Sequence, residues 1–102
     1  MRVLVISRQK FFVPLEQYPA VMKEFASWRE RYRSHMESFD FFTAGGGGCG
    51  IFNMPDDTML SQMIMEYPWG FASDVEMHLL TDGDTALANF QAMLSQMDGE
   101  PH

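Results

Sequence analysis

The chain has a single cysteine among its 102 residues, which excludes an internal disulfide and a cysteine-rich zinc site. Basic residues are also few: seven Lys and Arg stand against fourteen Asp and Glu, for a formal charge of −7. Nucleic acids and anionic membranes both bind basic surfaces, so this balance argues against either partner. Apolar runs fall far short of the ~20 residues of a membrane span. The N-terminus also lacks the zones of a signal peptide. These absences predict a cytoplasmic protein.

Hydrophobic and aromatic residues are abundant by contrast. They make up 46% and 14% of the chain, with ten Met and nine Phe. This is the composition of a globular protein, and the length predicts one domain over residues 1–102. Met and Phe side chains serve equally in an adaptable core and in the lining of a ligand cavity. Composition leaves both interpretations open.

Hydrophobic periodicity predicts four strands and three helices. Strands are read from short β-branched or aromatic runs, and helices from apolar residues three and four apart. The predicted strands cover residues 2–7, 39–44, 50–54 and 73–80. The predicted helices cover residues 19–37, 58–66 and about 85–97, followed by a tail at 98–102. The glycine run at 45–48 is the turn of a hairpin or the softened end of a strand.

This order of elements is the split βαβ pattern of α+β, ferredoxin-like domains, extended by a C-terminal helix. Both crossover helices of that fold cover one face of a four-stranded antiparallel sheet. The other face bears apolar residues such as Leu4 and Ile6 here, and exposed apolar surface of that size marks an interface. We expect a second copy to cover it, sheet against sheet, as a homodimer or a larger homo-oligomer. The alternative is that the C-terminal helix folds back over its own sheet.

The glycine run contains a literal match to the dinucleotide-binding fingerprint, at Gly45, Gly47 and Gly50. That motif requires a helix directly after the glycines, because the helix N-terminus holds the pyrophosphate. A strand stopped by Pro55 follows instead, so the match is fortuitous. No cofactor and no metal are predicted.

Three side chains with acid/base chemistry alternate along the last predicted strand. Asp74, Glu76 and His78 stand two residues apart, so all three point to one face of the sheet. Two carboxylates beside an imidazole make a plausible acid/base set or part of a divalent-metal site. A solvated edge strand that carries charges against aggregation explains the same pattern. The catalytic interpretation therefore depends on a partner covering this face.

Candidate substrate-binding residues lie at the end of the first strand, on the second strand and before the fourth. Ser7 and Arg8 end the first strand, where a pocket between the sheet and the helices would open, and Arg8 would hold a carboxylate or enolate there. The three aromatic residues before the fourth strand, Tyr67, Trp69 and Phe71, would form a lid over an apolar ligand, or simply a packed corner of the fold. The full set is Ser7, Arg8, Phe41, Tyr67, Trp69 and Phe71.

Several segments together resemble the muconolactone isomerase family of dimeric α+β barrel proteins, over residues 3 to about 80. They include VP at 13–14 before the first helix, AG at 44–45 and IFNMP at 51–55. The most specific is EYPWGFASDVE at 66–76, which is similar to the family's LPLFPYMDIE stretch. From that motif, Asp74 and Glu76 carry over to this sequence.

The resemblance implies a cofactor-free enzyme that moves an allylic proton in a lactone, in an oligomer whose protomers pair by their sheets. The apolar first strand and the glycines at 46–48 predict a roomier, more apolar cavity than in the isomerases themselves. We therefore expect an isomerase or cyclase acting on an unsaturated lactone, enone or polyketide-like small molecule. Glu76 or His78 would be the base and Asp74 its orienting partner, with Arg8 or backbone amides stabilising the enolate. A cofactor-independent monooxygenase of the same superfamily and a non-catalytic ligand-binding or dimerisation module remain alternatives.

Overall fold

The computed structural model describes residues 1–99; the end of the predicted tail, with His102, lies outside the described residues. Its strands are β1 (Arg2–Gln9), β2 (Met36–Phe41), β3 (Gly47–Asn53) and β4 (Ser73–Leu80). Its helices are α1 (Tyr18–Tyr32), α2 (Asp57–Met65) and α3 (Gly83–Gly99). The strands form one antiparallel sheet in the order β2-β3-β1-β4. This confirms the predicted α+β, ferredoxin-like fold.

The largest difference from the predicted elements lies between α1 and β2. The predicted helix runs to residue 37, but α1 ends at Tyr32, and a short 3₁₀ turn leads into a strand that begins at Met36. Met36 lies four residues after Tyr32, so helical spacing assigns it to the helix. In the structure it packs on the core from a strand and pairs with Phe52. Period-two packing against the sheet replaces the helical period here.

The strand register divides the sheet into two faces of different character. Residues paired across neighbouring strands share a face, so Val3, Val5 and Ser7 of β1 lie on the same side as Leu79, Met77 and Val75 of β4. This side carries α1 and α2, and is called the helix face below. Leu4, Ile6 and Arg8 lie on the opposite side, together with His78, Glu76 and Asp74. That side is called the open face.

The core lies between the helix face and the two crossover helices. Its buried members are Phe25, Trp28, Tyr32, Phe52, Met54 and Met63. Trp28 also fixes α1 against α2, because its indole Nε1 donates a 3.0 Å hydrogen bond to the Met63 carbonyl. At the end of α2, Glu66 accepts hydrogen bonds from the Tyr32 hydroxyl and, at 2.7 Å, from Arg31 Nη1. Burial and directed hydrogen bonds thus hold α1 and α2 in a single arrangement over the sheet.

Helix α3 extends away from the rest of the protomer. The described chain measures 68 × 27 × 21 Å with a radius of gyration of 18.5 Å, whereas a compact chain of about 100 residues has a radius near 13 Å. The alternative of a C-terminal helix folded back over its own sheet does not occur in this structure. None of the helices in residues 1–99 combines the length and apolar character needed to cross a bilayer.

Candidate functional site

A cavity of about 260 Å³ lies between the helix face of the sheet and the two crossover helices. Its walls are mostly aromatic and apolar, with Ser7, Gln9, Tyr18, Tyr67 and Ser73 as the polar lining residues. Drug-sized ligands occupy pockets of about 300–1,000 Å³ that are apolar with a few placed polar groups. The cavity therefore suits a small ring compound with one or two polar atoms. The apolar wall is formed by Val5, Met22, Phe25, Trp28, Phe39, Phe41, Phe52, Met63, Ile64 and Trp69.

The floor of the cavity exists because β3 carries glycine where a side chain would fill it. Gly50 pairs with Val5 on one side and Phe39 on the other, and Gly48 pairs with Ser7 and Phe41. Both glycines line the cavity. A Cβ at Gly48 would stand 2.4 Å from the Asp40 carbonyl oxygen, and one at Gly50 would stand 2.9 Å from the Phe52 ring. The backbone of β3 thus forms a flat floor with Val5 and Ser7 on one side and Phe39 and Phe41 on the other.

The turn that precedes this floor also depends on glycine. Gly45, Gly46 and Gly47 have φ angles of +90°, +68° and +109°, a region that residues with side chains rarely adopt. The turn brings β3 back beside β2 and leads directly into the cavity floor. Of the two predicted roles for the run, both occur: residues 45–46 form the turn, and residues 47–48 begin the strand.

A hydrogen-bonded pair of hydroxyls supplies the main polar feature of the cavity wall. The Tyr67 hydroxyl donates to Ser7 Oγ at 2.9 Å. Ser7 is buried on β1, and Tyr67 follows α2, where its ring meets Phe25 edge-on and Trp28 in a tilted arrangement. Burial raises the pKa of the Tyr67 phenol above its ordinary value, and the smaller effect of the Ser7 hydrogen bond opposes it. The Tyr67 phenol therefore keeps its proton at neutral pH and donates it in the hydrogen bond to Ser7, which leaves the Ser7 hydroxyl hydrogen free to bond a ligand.

Four of the six predicted substrate-binding residues meet in this cavity: Ser7, Phe41, Tyr67 and Trp69. Phe71 stacks behind Trp69 with ring centroids 6.2 Å apart, and is half exposed outside the lining. Arg8 lies on the open face, where its Nε stands 3.6 Å from Glu76 Oε1. The placement of Arg8 in the same pocket as Ser7 is thus corrected: adjacent strand residues point to opposite faces.

The three predicted acid/base residues lie on the open face, with the sheet between them and the cavity. Glu76 Oε2 is 3.3 Å from His78 Nε2, and Asp74 Oδ1 is 3.7 Å from Lys10 Nζ. Their side chains are 50–72% exposed in the protomer. The predicted shared face is observed, whereas the catalytic roles remain predictions. Within residues 1–99, no three His, Cys, Asp or Glu side chains gather closely enough to hold a metal ion.

Several cavity residues were not singled out by the sequence interpretation. Tyr18 and Met22 of α1 line the cavity, and the Tyr18 ring meets that of Trp69 edge-on with centroids 5.2 Å apart. Phe39 lies on the other wall, with the Arg29 guanidinium 4.9 Å from its ring centroid. The signal available for these residues was aromatic content at helical and alternating spacing. Core residues give the same signal, so the sequence alone does not separate the two. Only the strand register shows that Gly48 and Gly50 of β3 lie on this face of the sheet, where they leave the cavity open.

Comparisons with solved structures place the fold. The chain superposes on a 5-chloro-2-hydroxyhydroquinone dehydrochlorinase, TftG from Burkholderia phenoliruptrix AC1100 in complex with 2,5-dihydroxybenzoquinone, with a TM-score of 0.68. Sequence identity is 9%, over 83% of this chain and 98% of that one. A muconolactone isomerase structure gives the same TM-score of 0.68 at 15% identity, over 78% and 88% of the two chains. This chain therefore shares the ferredoxin-like α+β fold of both proteins.

Other comparisons add little to this assignment. An antibiotic biosynthesis monooxygenase structure matches with a TM-score of 0.47 and 16% identity, over 79% of this chain and 97% of that one. No protein-family model matches the sequence. No curated protein matches it either. The neighbours therefore establish the architecture, and the chemistry has to be argued from this chain's own side chains.

Proposed function

We propose that the protein is a cofactor-free enzyme of the isomerase or cyclase type, acting on a small unsaturated lactone, enone or polyketide-like ring. The observation that carries this proposal is the Ser7–Tyr67 hydroxyl pair in the wall of an otherwise apolar cavity. Two structural neighbours are small-molecule enzymes, an isomerase and a dehydrochlorinase, which agrees with this class. The cavity volume of about 260 Å³ limits the substrate to a small ring system.

The hydroxyl pair would stabilise negative charge on the substrate oxygen. Tyr67 donates to Ser7, and Ser7 in turn donates to the ring carbonyl, so the donor is fixed before the substrate arrives. When a proton leaves the carbon next to that carbonyl, the charge that develops on oxygen meets an oriented donor in an apolar surrounding. Such preorganised donors are commonly worth on the order of 10²-fold in rate. Reprotonation at the conjugated position then completes the isomerisation.

The group that accepts the proton could lie in one of two places, the cavity or the open face. Among the described residues, the cavity lining includes no carboxylate and no imidazole, so in the cavity the proton would pass to a hydroxide ion from the solvent, which becomes water. The second location is the open face, where Glu76 contacts both Arg8 and His78. In that arrangement Glu76 or His78 is the base, Asp74 orients it and Arg8 holds the enolate. It requires a second copy of the chain to close the face against water.

A non-catalytic ligand-binding function is the second candidate. It is favoured by the same lack of carboxylate and imidazole side chains around the cavity in residues 1–99. General acid–base catalysis needs such a group within hydrogen-bond reach of the proton that moves. A binding module needs only the aromatic walls and the hydroxyl pair, which this cavity has.

The experiment uses α-angelica lactone, a β,γ-unsaturated five-membered lactone, as a probe in D₂O. Deuterium uptake and formation of the conjugated isomer are followed by NMR, and binding is followed by the intrinsic fluorescence of Trp28 and Trp69, which both line the cavity. We expect Tyr67→Phe and Ser7→Ala to reduce the rate on the order of 10²-fold, with Ser34→Ala as an exposed control. The Glu76→Gln, His78→Ala double variant tests the open face separately. Binding without deuterium uptake would favour the binding module, and oxygen consumption with a quinol probe would favour a monooxygenase.

A further inference from the structure

Helix α3 presents an apolar stripe that the described part of its own protomer leaves in solvent. The stripe residues recur three and four apart, as on one face of a helix. Their exposed fractions range from 42% to 61%, values far above those of the core. They are Leu87, Phe90, Met93, Leu94 and Met97.

The sequence of α3 gives little support for a helix that stands alone in water. Residues 81–99 include no Lys or Arg, so α3 lacks the ion pairs between successive turns that stabilise solvated helices. Most of the stability of a protein helix, here one of 17 residues, comes from tertiary packing of its apolar face rather than from intrinsic propensity. The helix therefore requires a surface on which its stripe is buried.

A matching surface lies on the helix face of β4. Met77 and Leu79 point to that face but remain 49% and 73% exposed. The reason is that the strand residues packed in the core under α1 and α2 come from β1, β2 and β3, and none of them comes from β4. The protomer thus has an apolar strand edge that lacks a covering helix, and an apolar helix that lacks a strand to cover.

The junction between β4 and α3 keeps these two surfaces of one chain apart. Only Thr81 and Asp82 separate β4 from α3. The Asp82 carboxylate accepts a 3.1 Å hydrogen bond from the Thr85 backbone N–H, and the Asp82 carbonyl accepts one of 2.9 Å from the Ala86 N–H. This cap fixes the first turn of a helix that points away from its own sheet, and produces the 68 Å length of the chain.

We propose that α3 docks across β4 of a second copy of this chain, and that the two copies exchange their C-terminal helices around a two-fold axis. Exchange of an identical element is a low-cost route to a dimer, since each copy buries the surface that the other offers. A helix of this length spans about 25 Å, so the two exchanged contacts bury on the order of 1,000 Å², the lower range for specific interfaces. The proposal is independent of the proposed function.

Cysteine cross-linking between two differently substituted chains tests the exchange. Both chains carry Cys49→Ser to remove the native thiol. One carries Leu79→Cys on β4; the other carries Leu87→Cys, Phe90→Cys or Leu94→Cys, one at a time. After co-refolding and mild oxidation, we expect a disulfide-linked heterodimer for at least one of the three positions. All of these side chains are exposed in the protomer, so the substitutions spare the core.

The control is Ala92→Cys, which lies on the opposite side of α3 from the stripe and should give no cross-link to Leu79→Cys. A chain that carries both Leu79→Cys and Phe90→Cys distinguishes exchange from folding back: cross-linking at monomer mass would overturn the proposal. Failure of all three stripe positions would overturn it too. With the unsubstituted chain, amide hydrogen exchange should show α3 protected at high protein concentration and at least tenfold less protected after dilution. Protection that is absent or independent of concentration would also contradict it.

Discussion

Tyr67 and Ser7, 60 positions apart in sequence, are joined by a 2.9 Å hydrogen bond between their hydroxyls inside the cavity. The bond connects the segment after α2 to the central strand β1. Each hydroxyl would lose its partner if α2 shifted against the sheet, and Trp28 and Glu66 hold α2 from the other side. The polar group offered to a ligand is thus a product of the tertiary fold.

A double-mutant cycle on this pair should show coupling. Tyr67→Phe removes the donor and Ser7→Ala removes the acceptor, and each should lower the free energy of unfolding by about 1 kcal/mol. Because both remove the same bond, the double variant should lose less than the sum of the two. Urea unfolding of the four proteins measures this. Strict additivity would show that the bond contributes nothing in solution.

The acid stability of the protein should depend on Glu66. Hydrogen bonds from Tyr32, then Gln62 and Arg31, lower the pKa of this carboxyl below its ordinary value of 4.5. The folded state therefore favours the carboxylate, and its stabilising contribution is full above that ordinary value and is lost as pH falls through the lowered pKa. Urea midpoints measured from about pH 6 down to pH 3 should fall less steeply in Glu66→Gln than in the wild type. Equal slopes would contradict the prediction.

The cavity floor should resist any side chain. Gly48→Ala places a Cβ against the Asp40 carbonyl and should cost about 1–3 kcal/mol of unfolding free energy. Gly70→Ala is the matched control, since the nearest atom to its Cβ is the Tyr67 ring at 4.0 Å. Thermal or urea unfolding compares the two variants. Similar losses in both would mean that the floor tolerates a methyl group and that the glycine has another purpose.

The open face should mediate self-association through its apolar centre. Leu4 and Ile6 lie there beside Ile51, and none of the three belongs to the core. We expect native mass spectrometry to show twice the protomer mass of 11.7 kDa. Ile6→Glu should weaken the dimer at least about 100-fold, because an unpaired charge would be buried in the contact. Thr43→Glu, an exposed control in the β2–β3 turn, should leave the dimer unchanged.

The elements were largely predictable because their local signals agree. β4 was placed at residues 73–80, as observed, since its alternation is uninterrupted and a glycine-containing turn precedes it. The α1–β2 boundary was not predictable from spacing. Met36 fits a helical period after Tyr32, and only packing against Phe52 shows that it belongs to a strand.

The candidate site was predicted in pieces but not in its geometry. Ser7, Phe41, Tyr67 and Trp69 were recognised separately, and the fold brings them together. The sequence interpretation also put Arg8 beside Ser7, although strand alternation alone separates them. What alternation could not show is which face of β1 carries the cavity, because apolar residues occur on both.

A pocket floor made of bare main chain has a consequence for how this protein can diversify. A backbone floor offers no rotamers, so mutation of β3 at Gly48 or Gly50 can only subtract space. Variation in ligand choice among descendants of this chain would have to arise instead from the walls, at positions such as Met22, Phe39 and Phe41. Selection acting on those residues would change what enters while the strand beneath stays the same.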